Sequence, residues 1–541
     1  MKKLVTIGII ILLIVPFNVL GKELILEDTT IFGGSNDDYV YQIKPTNDGG
    51  YIAVGSTAST DINGLTNKGS NDGLLIKYDS TNNIKWKITY GATDFESFNR
   101  VIETTSGDII AVGVSTSNDL FDSNGVKHRG GVTVKYDKDG NIIWQRTIGG
   151  NGIENVVSLT ETTDKNYVII CESSSTDIPG ITNKGQYDYI IIKYDKDGNT
   201  LWTKTYGGNK NEKLYSLVPT EDGGFVTVGK TESTDINNLT NNGLSDALIL
   251  KYDKDGNLLY QQNYGGAGDD EFNNITKTID GGYVVVGDYN SNKFLDLTNE
   301  GQLDSFIIKF DKDLQIKWQK NYGGNGYDIF EAVYEEADGS YTVTGESTST
   351  NLQGITNKGG FDGIIIEYDK NLDVRFQYNY GGDNLDVLGS YTKLQDKIIL
   401  SGYTDSSSIN SKQNNGKKDA FFIKASYKYN IETNTPENGT YELKNTNNKV
   451  EFEPKPDLGY KLDTITIKNH LNEDISVEEK NGIYYFDLTD DVTININFKK
   501  TLEINNPETG NINTIVDLII SLILVVGIIY KMRKNTKKNN I

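Results

Sequence analysis

Seven carboxylates recur along this 541-residue chain at one spacing. Asp38, Glu96, Glu154, Glu212, Asp270, Asp328 and Asp386 stand 58 residues apart. Two chemistries fit such a column. Seven acids opening the innermost strands near an axis would form a carboxylate ring that draws in a cation, calcium foremost, or a cationic ligand. Alternatively, each acid accepts backbone N–H bonds from a neighbouring loop and fixes a junction. A residue present in every copy more often serves the copy than one site, so the second reading leads. A second acidic column, Asp72, Asp188, Asp246, Asp304, Asp362 and Asp419, reads the same way, with Gly130 as its exception. Asp137-Lys138-Asp139-Gly140, with counterparts at Asp195 and Asp253, has the alternating acids of a calcium loop. It lacks the later ligands and the closing Glu, and reads as a hairpin turn.

Catalysis needs distinct acid, base and stabiliser, so a catalytic site must break the repetition. The departures are Lys127-His128-Arg129 in the second copy and Glu331, Glu335 and Glu336 in the sixth. Neither group makes a recognisable acid–base constellation. His128 and His470 are the only histidines, which leaves little room for a His-based metal site or a Ser-His-Asp triad. Cys171 is the only cysteine and replaces a glycine found in other copies, so it reads as a small buried residue, not a nucleophile. No catalytic, cofactor-binding or metal-binding residue is assigned. A formal charge of -22 argues against nucleic acid, whose phosphates this surface would repel.

The elements that carry these residues follow from the period. An aromatic or aliphatic residue before glycine (Phe32, Tyr90, Ile148, Tyr206, Tyr264, Tyr322, Tyr380) opens each copy. In the fourth copy, Leu214–Pro219, Phe225–Val228, Ala247–Tyr252 and Leu258–Asn263 read as strands, with tight turns at Asp222-Gly223-Gly224 and Asp253–Asn257. A longer loop, 230–245, joins the second and third strands, and its Thr-Asn-x-Gly segment recurs at Thr66, Thr182, Thr240, Thr298 and Thr356. A lone four-stranded sheet would leave one apolar face wet, so the copies must stack around an axis. All four tryptophans, Trp86, Trp144, Trp202 and Trp318, share one column, as core packing between copies would require. Residues 24–31 match a missing fourth strand of the seventh copy. The expected fold is therefore all-β: a seven-bladed β-propeller over 24–427, closed by the N-terminal strand. A small all-β module over 428–500 and a C-terminal hydrophobic helix should follow.

The ends speak of export. Met1-Lys2-Lys3, an apolar run and Gly21 make residues 1–21 a signal peptide. Asn506-Pro507-Glu508-Thr509-Gly510, a hydrophobic segment over 515–530 and a basic tail fill the spacer and tail, 501–541. This three-part pattern resembles the LPxTG-like cell-wall sorting signals of Gram-positive surface proteins. The resemblance implies that a sortase cuts between Thr509 and Gly510 and joins the chain to peptidoglycan, the membrane being touched only through 515–530 beforehand. A plain C-terminal membrane anchor is the alternative. The repeats resemble a family of secreted bacterial β-propeller repeats. The shared features are the Gly-Gly-x-x-x-acid start (Gly265-Gly266 to Asp270), the Asp-Gly-Gly-aromatic turn (Asp280 to Tyr283) and the Lys-aromatic-Asp-x-x-Gly hairpin (Lys135 to Gly140). That resemblance implies fold and export, not a reaction. Function then reads as a wall-anchored module that binds or displays, its partner an extracellular glycan or protein. A surface glycan-processing enzyme with an axial site and a structural spacer are the alternatives. Symmetry-breaking Glu, Arg or Tyr groups in the axial pocket would favour the enzyme.

Overall fold

A computed structural model describes residues 22–121, 129–394, 397–446, 448–501, 519 and 522–526. The expected signal peptide, the sorting motif Asn506–Gly510, the basic tail, Lys127 and His128 lie outside the described residues. The described chain forms two compact units, one of Lys22–Lys428 and one beginning at Tyr429.

Each 58-residue copy in the first unit folds as the fourth does. Glu212–Pro219, Phe225–Thr231, Asp246–Tyr252 and Leu258–Tyr264 form one antiparallel sheet in that order. The β-branched and aromatic second and third strands are buried along almost their whole length. The outer strand, Leu258–Tyr264, is exposed or half-buried along most of its length. Five further copies repeat this order, opening with Asp38–Pro45, Glu96–Glu103, Glu154–Glu161, Asp270–Lys277 and Asp328–Glu335. The seventh sheet orders Asp386–Leu394, Lys397–Thr404, Asp419–Lys428 and then Glu23–Phe32, the strand that begins the unit. Glu23 pairs with Lys428 and Phe32 with Ala420, antiparallel.

The innermost strands pack in sequence, each on the next, and Asp386–Leu394 packs back on Asp38–Pro45. The apolar cores lie between sheets. Ile52 and Val54 of the first sheet join Phe98, Val101 and Ala111 of the second. Phe422 and Ile399 of the seventh join Val40 and Tyr78 of the first. A fully buried side chain of this kind contributes about 1.5–3 kcal/mol, and that burial exists only because each sheet covers its neighbour. The arrangement is that of a β-propeller. The tryptophan column sits at these junctions but nearer the rim than a core reading implies, for only Trp144 is fully buried. Trp86, Trp144 and Trp202 donate their indole N–H to the carbonyls of Lys138, Lys196 and Lys254 in the next copy, at 3.1, 3.2 and 3.2 Å. Gly198, at φ +80°, lies flush against the Trp144 ring, where a Cβ would come within 2.9 Å.

Every innermost strand carries a β-bulge. Its register shifts between Val40 and Gln42 in the first copy and at the equivalent place in each of the others. The partner position is glycine in every copy but the third, where Cys171 faces the same bulge. A Cβ at Gly55 would sit 1.8 Å from the Tyr39 carbonyl that the bulge swings inward, and Gly113, Gly229, Gly287 and Gly345 are as crowded.

A buried lysine on the third strand ties four of the sheets, and a half-buried one takes its place in a fifth. Lys77, Lys135, Lys193 and Lys309 reach Asp48, Asp108, Asp164 and Asp280 in the first hairpin turn at 2.6–3.0 Å, and Lys251 faces Asp222. The sixth copy inverts the charge. Glu367 replaces the lysine, and Lys22 and Arg375 come to it at 2.8 and 3.0 Å. Lys22 is 3% exposed and its ammonium lies 3.5 Å from the Tyr427 ring centroid.

The second unit is also all-β. Ile431–Thr433, Val492–Lys500 and Tyr460–Asn469 form one sheet, and Gly439–Thr446, Lys449–Pro456, Ile483–Asp487 and Glu478–Lys480 the other. Val450, Phe452, Ile467, Phe486, Ile494 and Ile496 fill the space between them. Of the segment 515–530, the described residues Ile519 and 522–526 are helical and exposed. No helix among the described residues is long and apolar enough to cross a membrane.

Candidate functional site

The seven repeated carboxylates open the innermost strands and are buried. Each accepts the backbone N–H of the residue four places earlier. The donors are Gly34, Ala92, Gly150, Gly208, Gly266, Gly324 and Gly382, at 2.7–3.0 Å. Each also accepts a hydroxyl from the end of the second strand or the residues just past it, as Asp38 does from Thr57 and Ser59 and Glu212 from Thr231. This set of donors gives the Gly-Gly-x-x-x-acid motif its geometry. In the second column, Asp188 and Asp304 accept the N–H of Lys184 and Glu300 in the Thr-Asn-x-Gly loop, both at 2.8 Å. The two columns meet at each junction. A Cβ on Gly91 would touch Asp72 Oδ1 and Glu96 Oε2 alike, at 2.4 and 2.7 Å. Oδ1 of Asp72, Asp270, Asp304, Asp362, Asp386 and Asp419 is buried with no hydrogen-bond partner. Burial, with Asp38 close by, lifts the Asp419 carboxyl to about 6. Among the described residues no group of three or more His, Cys, Asp or Glu is placed to hold a metal.

The axial cavity lies deeper along the same strands. The bulge residues Tyr41, Asn99, Val157, Tyr215, Asn273, Glu331 and Gly389, one from each copy, all line it. A bulge lifts its residue out of the ladder and re-aims the side chain, here into the axis. Two lobes of about 310 and 290 Å³ share Arg100, Tyr215 and Glu331 as a common wall. None of the seven repeated acids lines either lobe. Gln42, Asn155, Asn274 and Ser390 add neutral polar groups to the first. Tyr39, Tyr41 and Tyr403 cluster at one side, Tyr39 stacked on Tyr41 at 5.6 Å and edge-on to Tyr403 at 5.0 Å.

The charges in the cavity are not repeated from copy to copy. Where Arg100 stands, the other copies have Gln42, Ser158, Ser216, Asn274, Ala332 and Ser390. Glu331 is likewise the only charged bulge residue. The Arg100 guanidinium donates to the carbonyl of its neighbour Asn99 at 3.0 Å and has no carboxylate within ion-pair distance among the described residues. Burial pulls it down while Glu331 and Tyr334 push back. Burial raises the Glu331 carboxyl against the pull of Arg100, and Glu271 adds to the rise. Beside it, burial and Glu331 drive Glu346 to about 8, and its Oε2 has no partner. Asp288, buried next to Glu271, is also held well above the usual carboxylate range, although Asn273 donates to it at 2.7 Å. Glu271 is satisfied by Lys230 at 2.8 Å and Tyr215 at 2.9 Å. On the Arg100 side, burial and Arg100 itself lower Lys44 to about 8.

The other residues singled out in the sequence lie elsewhere. Glu335 accepts Ile279 N–H at 2.5 Å, and Glu336 accepts Thr342, Tyr391 and Lys393 at 3.0, 2.7 and 3.2 Å. Of the three sixth-copy acids, only Glu331 faces the cavity. Arg129 lines a shallow cleft beside Gly130 and Glu154. Cys171 is buried, and burial raises its thiol. The Asp137, Asp195 and Asp253 carboxylates are filled by donors of their own turns. Arg100 and the bulge column were missed from sequence. The available signal was a column whose residue type changes in every copy.

No family model matches the chain. The regulatory protein FlaEY of Caulobacter vibrioides is 22% identical over 357 residues, which is 58% of this chain, and the chain spans 37% of that protein's length. Among solved structures, the WD40 β-propeller domain of Doa1 is 12% identical, with 74% of this chain and 97% of that domain covered and a TM-score of 0.41. BamB from Moraxella catarrhalis is 12% identical, with 74% and 99% covered and a TM-score of 0.36. The extracellular domain of the putative hybrid two component system BT4673 from B. thetaiotaomicron is 11% identical, with 87% and 59% covered and a TM-score of 0.38. The fold rests on the strand pairing above, not on these likenesses.

Proposed function

We propose that this chain is a seven-bladed β-propeller, closed by its N-terminal strand, displayed on a cell wall, and that it captures an extracellular ligand in its axial cavity. The observation that carries the reading is the unrepeated pair Arg100 and Glu331 in a cavity lined by all seven bulges. A repeat that served only as a spacer has no need of charges that the other copies lack at the same positions. The lining of Tyr, Asn, Gln and Ser suits a polar ligand such as a glycan, with aromatic faces and few fixed directional groups. Wall display rests on the sequence of the two termini. Calcium at the junction carboxylates belongs to the same set of proposals.

Two experiments test this. A glycan and peptide array probed with the purified protein should give binders that the Arg100→Ala, Glu331→Ala double variant loses by tenfold or more. An unchanged binding pattern would move the site off the axis. Thr509→Ala should shift the protein out of the wall fraction, and an unaltered wall fraction would refute sortase attachment. A second reading, a glycan-processing enzyme, is favoured by the raised carboxylates Glu331 and Glu346 beside Arg100, a placement suited to acid–base work. Product release from a bound glycan, lost in Glu331→Gln while binding persists, would distinguish catalysis from capture.

A further inference from the structure

This inference rests on the axial reading and names the chemistry of the ligand. The cavity is polarised across its width. Arg100 belongs to the second copy and Glu331 to the sixth. In a ring of seven these stand three places apart, the largest separation possible. They enter from strands on opposite sides of the ring, and both reach the wall that the two lobes share. Lys44 of the first copy adds a second cation on the Arg100 side. Asp288 and Glu346, of the fifth and sixth copies, add acids on the other.

These charges do not neutralise one another. Arg100 spends one N–H on Asn99 and has no carboxylate within ion-pair distance among the described residues. No described residue donates a hydrogen bond to Glu331, and Glu346 Oε2 is buried without a partner. Other charges in the same sheets are closely paired, as the buried Lys22 is with Glu367 and the half-buried Lys230 with Glu271. Arg100, Glu331 and Glu346 are half-buried, and unpaired charge drawn part-way out of water costs free energy that a ligand supplying the missing partners recovers on binding. A neutral sugar brings neither partner. A simple anion or a simple amine brings one.

We propose that the axial cavity takes a small zwitterion, its carboxylate held by Arg100 and its ammonium by Glu331. A free amino acid, or an amino-acid unit of a larger molecule, has this chemistry, and lobes of about 310 and 290 Å³ accommodate one. The bulge residues Tyr41 and Tyr215 flank the ligand's uncharged middle.

Titration calorimetry of the purified protein tests this with glycine, 4-aminobutyrate and 6-aminohexanoate, against hexanoate, hexylamine and N-acetylglucosamine. At least one zwitterion should bind ten times more tightly than either singly charged probe. Arg100→Met should reduce it to the level of the amine and Glu331→Gln to the level of the acid. Arg100→Lys, which keeps the charge, should retain most of the preference and so separates lost recognition from lost folding. Equal binding of hexanoate and the zwitterions would overturn the proposal. Binding of N-acetylglucosamine or an array glycan alone, sensitive to Arg100→Ala, would overturn the zwitterion but leave the axial site. Failure of every probe and every glycan would remove both.

Discussion

At the scale of single residues, the axial cavity leaves half-buried charges unpaired, against the usual pairing of charge drawn out of water. Glu346 is the sharpest case. Burial and its neighbour Glu331 hold its carboxyl near 8, so the folded protein binds that proton more tightly than the unfolded chain does. A carboxyl raised on folding gives stability below its unfolded value, near 4.5, and loses it as pH climbs toward 8. Glu346→Gln should therefore match the parent at pH 5 and exceed it at pH 9, by on the order of a few kcal/mol in chemical denaturation. A difference that is flat across this range would show that Glu346 titrates normally. Sequence inspection reached Glu331 because it interrupts a repeat, but not Glu346 or Arg100. Which positions face an axis depends on the bulge register, and a bulge is a property of two paired strands, visible only once the pairing is known.

At the scale of elements, the glycines, aspartates and hydroxyls of each turn were legible because their roles are local. Gly-Gly-x-x-x-acid is a backbone N–H reaching a carboxylate four residues on, and any single copy contains it. The sixth-copy inversion at Glu367 was not read, since its partner Lys22 lies 345 residues away. Lys22→Met would leave Glu367 buried with Arg375 alone, and breaking a buried pair of this kind costs about 3–5 kcal/mol. Glu367→Gln should cost a similar amount. In denaturant titrations the double variant should be far better than the sum of the two, and strict additivity would show that the contact does not hold the N-terminal strand.

At the scale of the whole molecule, the period was plain in the sequence, and the antiparallel strand order within a sheet followed from turn chemistry. How each junction is satisfied was not, because two acid columns 24 residues apart in sequence converge only after folding. Burial raises Asp38, Asp72, Glu212, Asp246, Asp270, Asp304, Asp328, Asp362 and Asp386, and lifts Asp419 to about 6. Their contribution is present near pH 4 and fades as pH rises above it, through about 6 for Asp419. Asp164 and Asp280 run the other way. Burial alone would raise them, but Lys193 and Lys309 hold both near 2, so their contribution is lost only as pH falls from 4 toward 2. Thermal stability should peak at about pH 4–5 and decline on both sides. A maximum at pH 7–8 in a series of melting scans would contradict this, unless chelating calcium moves the maximum back to acid pH. That outcome would identify a cation at the junction carboxylates.

The pairing of Glu23–Phe32 with Asp419–Lys428 carries a consequence for biogenesis. A polypeptide is made, and threaded through any pore, from its amino end. Its first strand is thus delivered some four hundred residues before the neighbour it needs, and it must wait, solvated and unmated, until the last repeat arrives. A chain stalled partway would present both a lone strand and an open edge to its surroundings, so whatever guards this protein in transit has those two ends to cover.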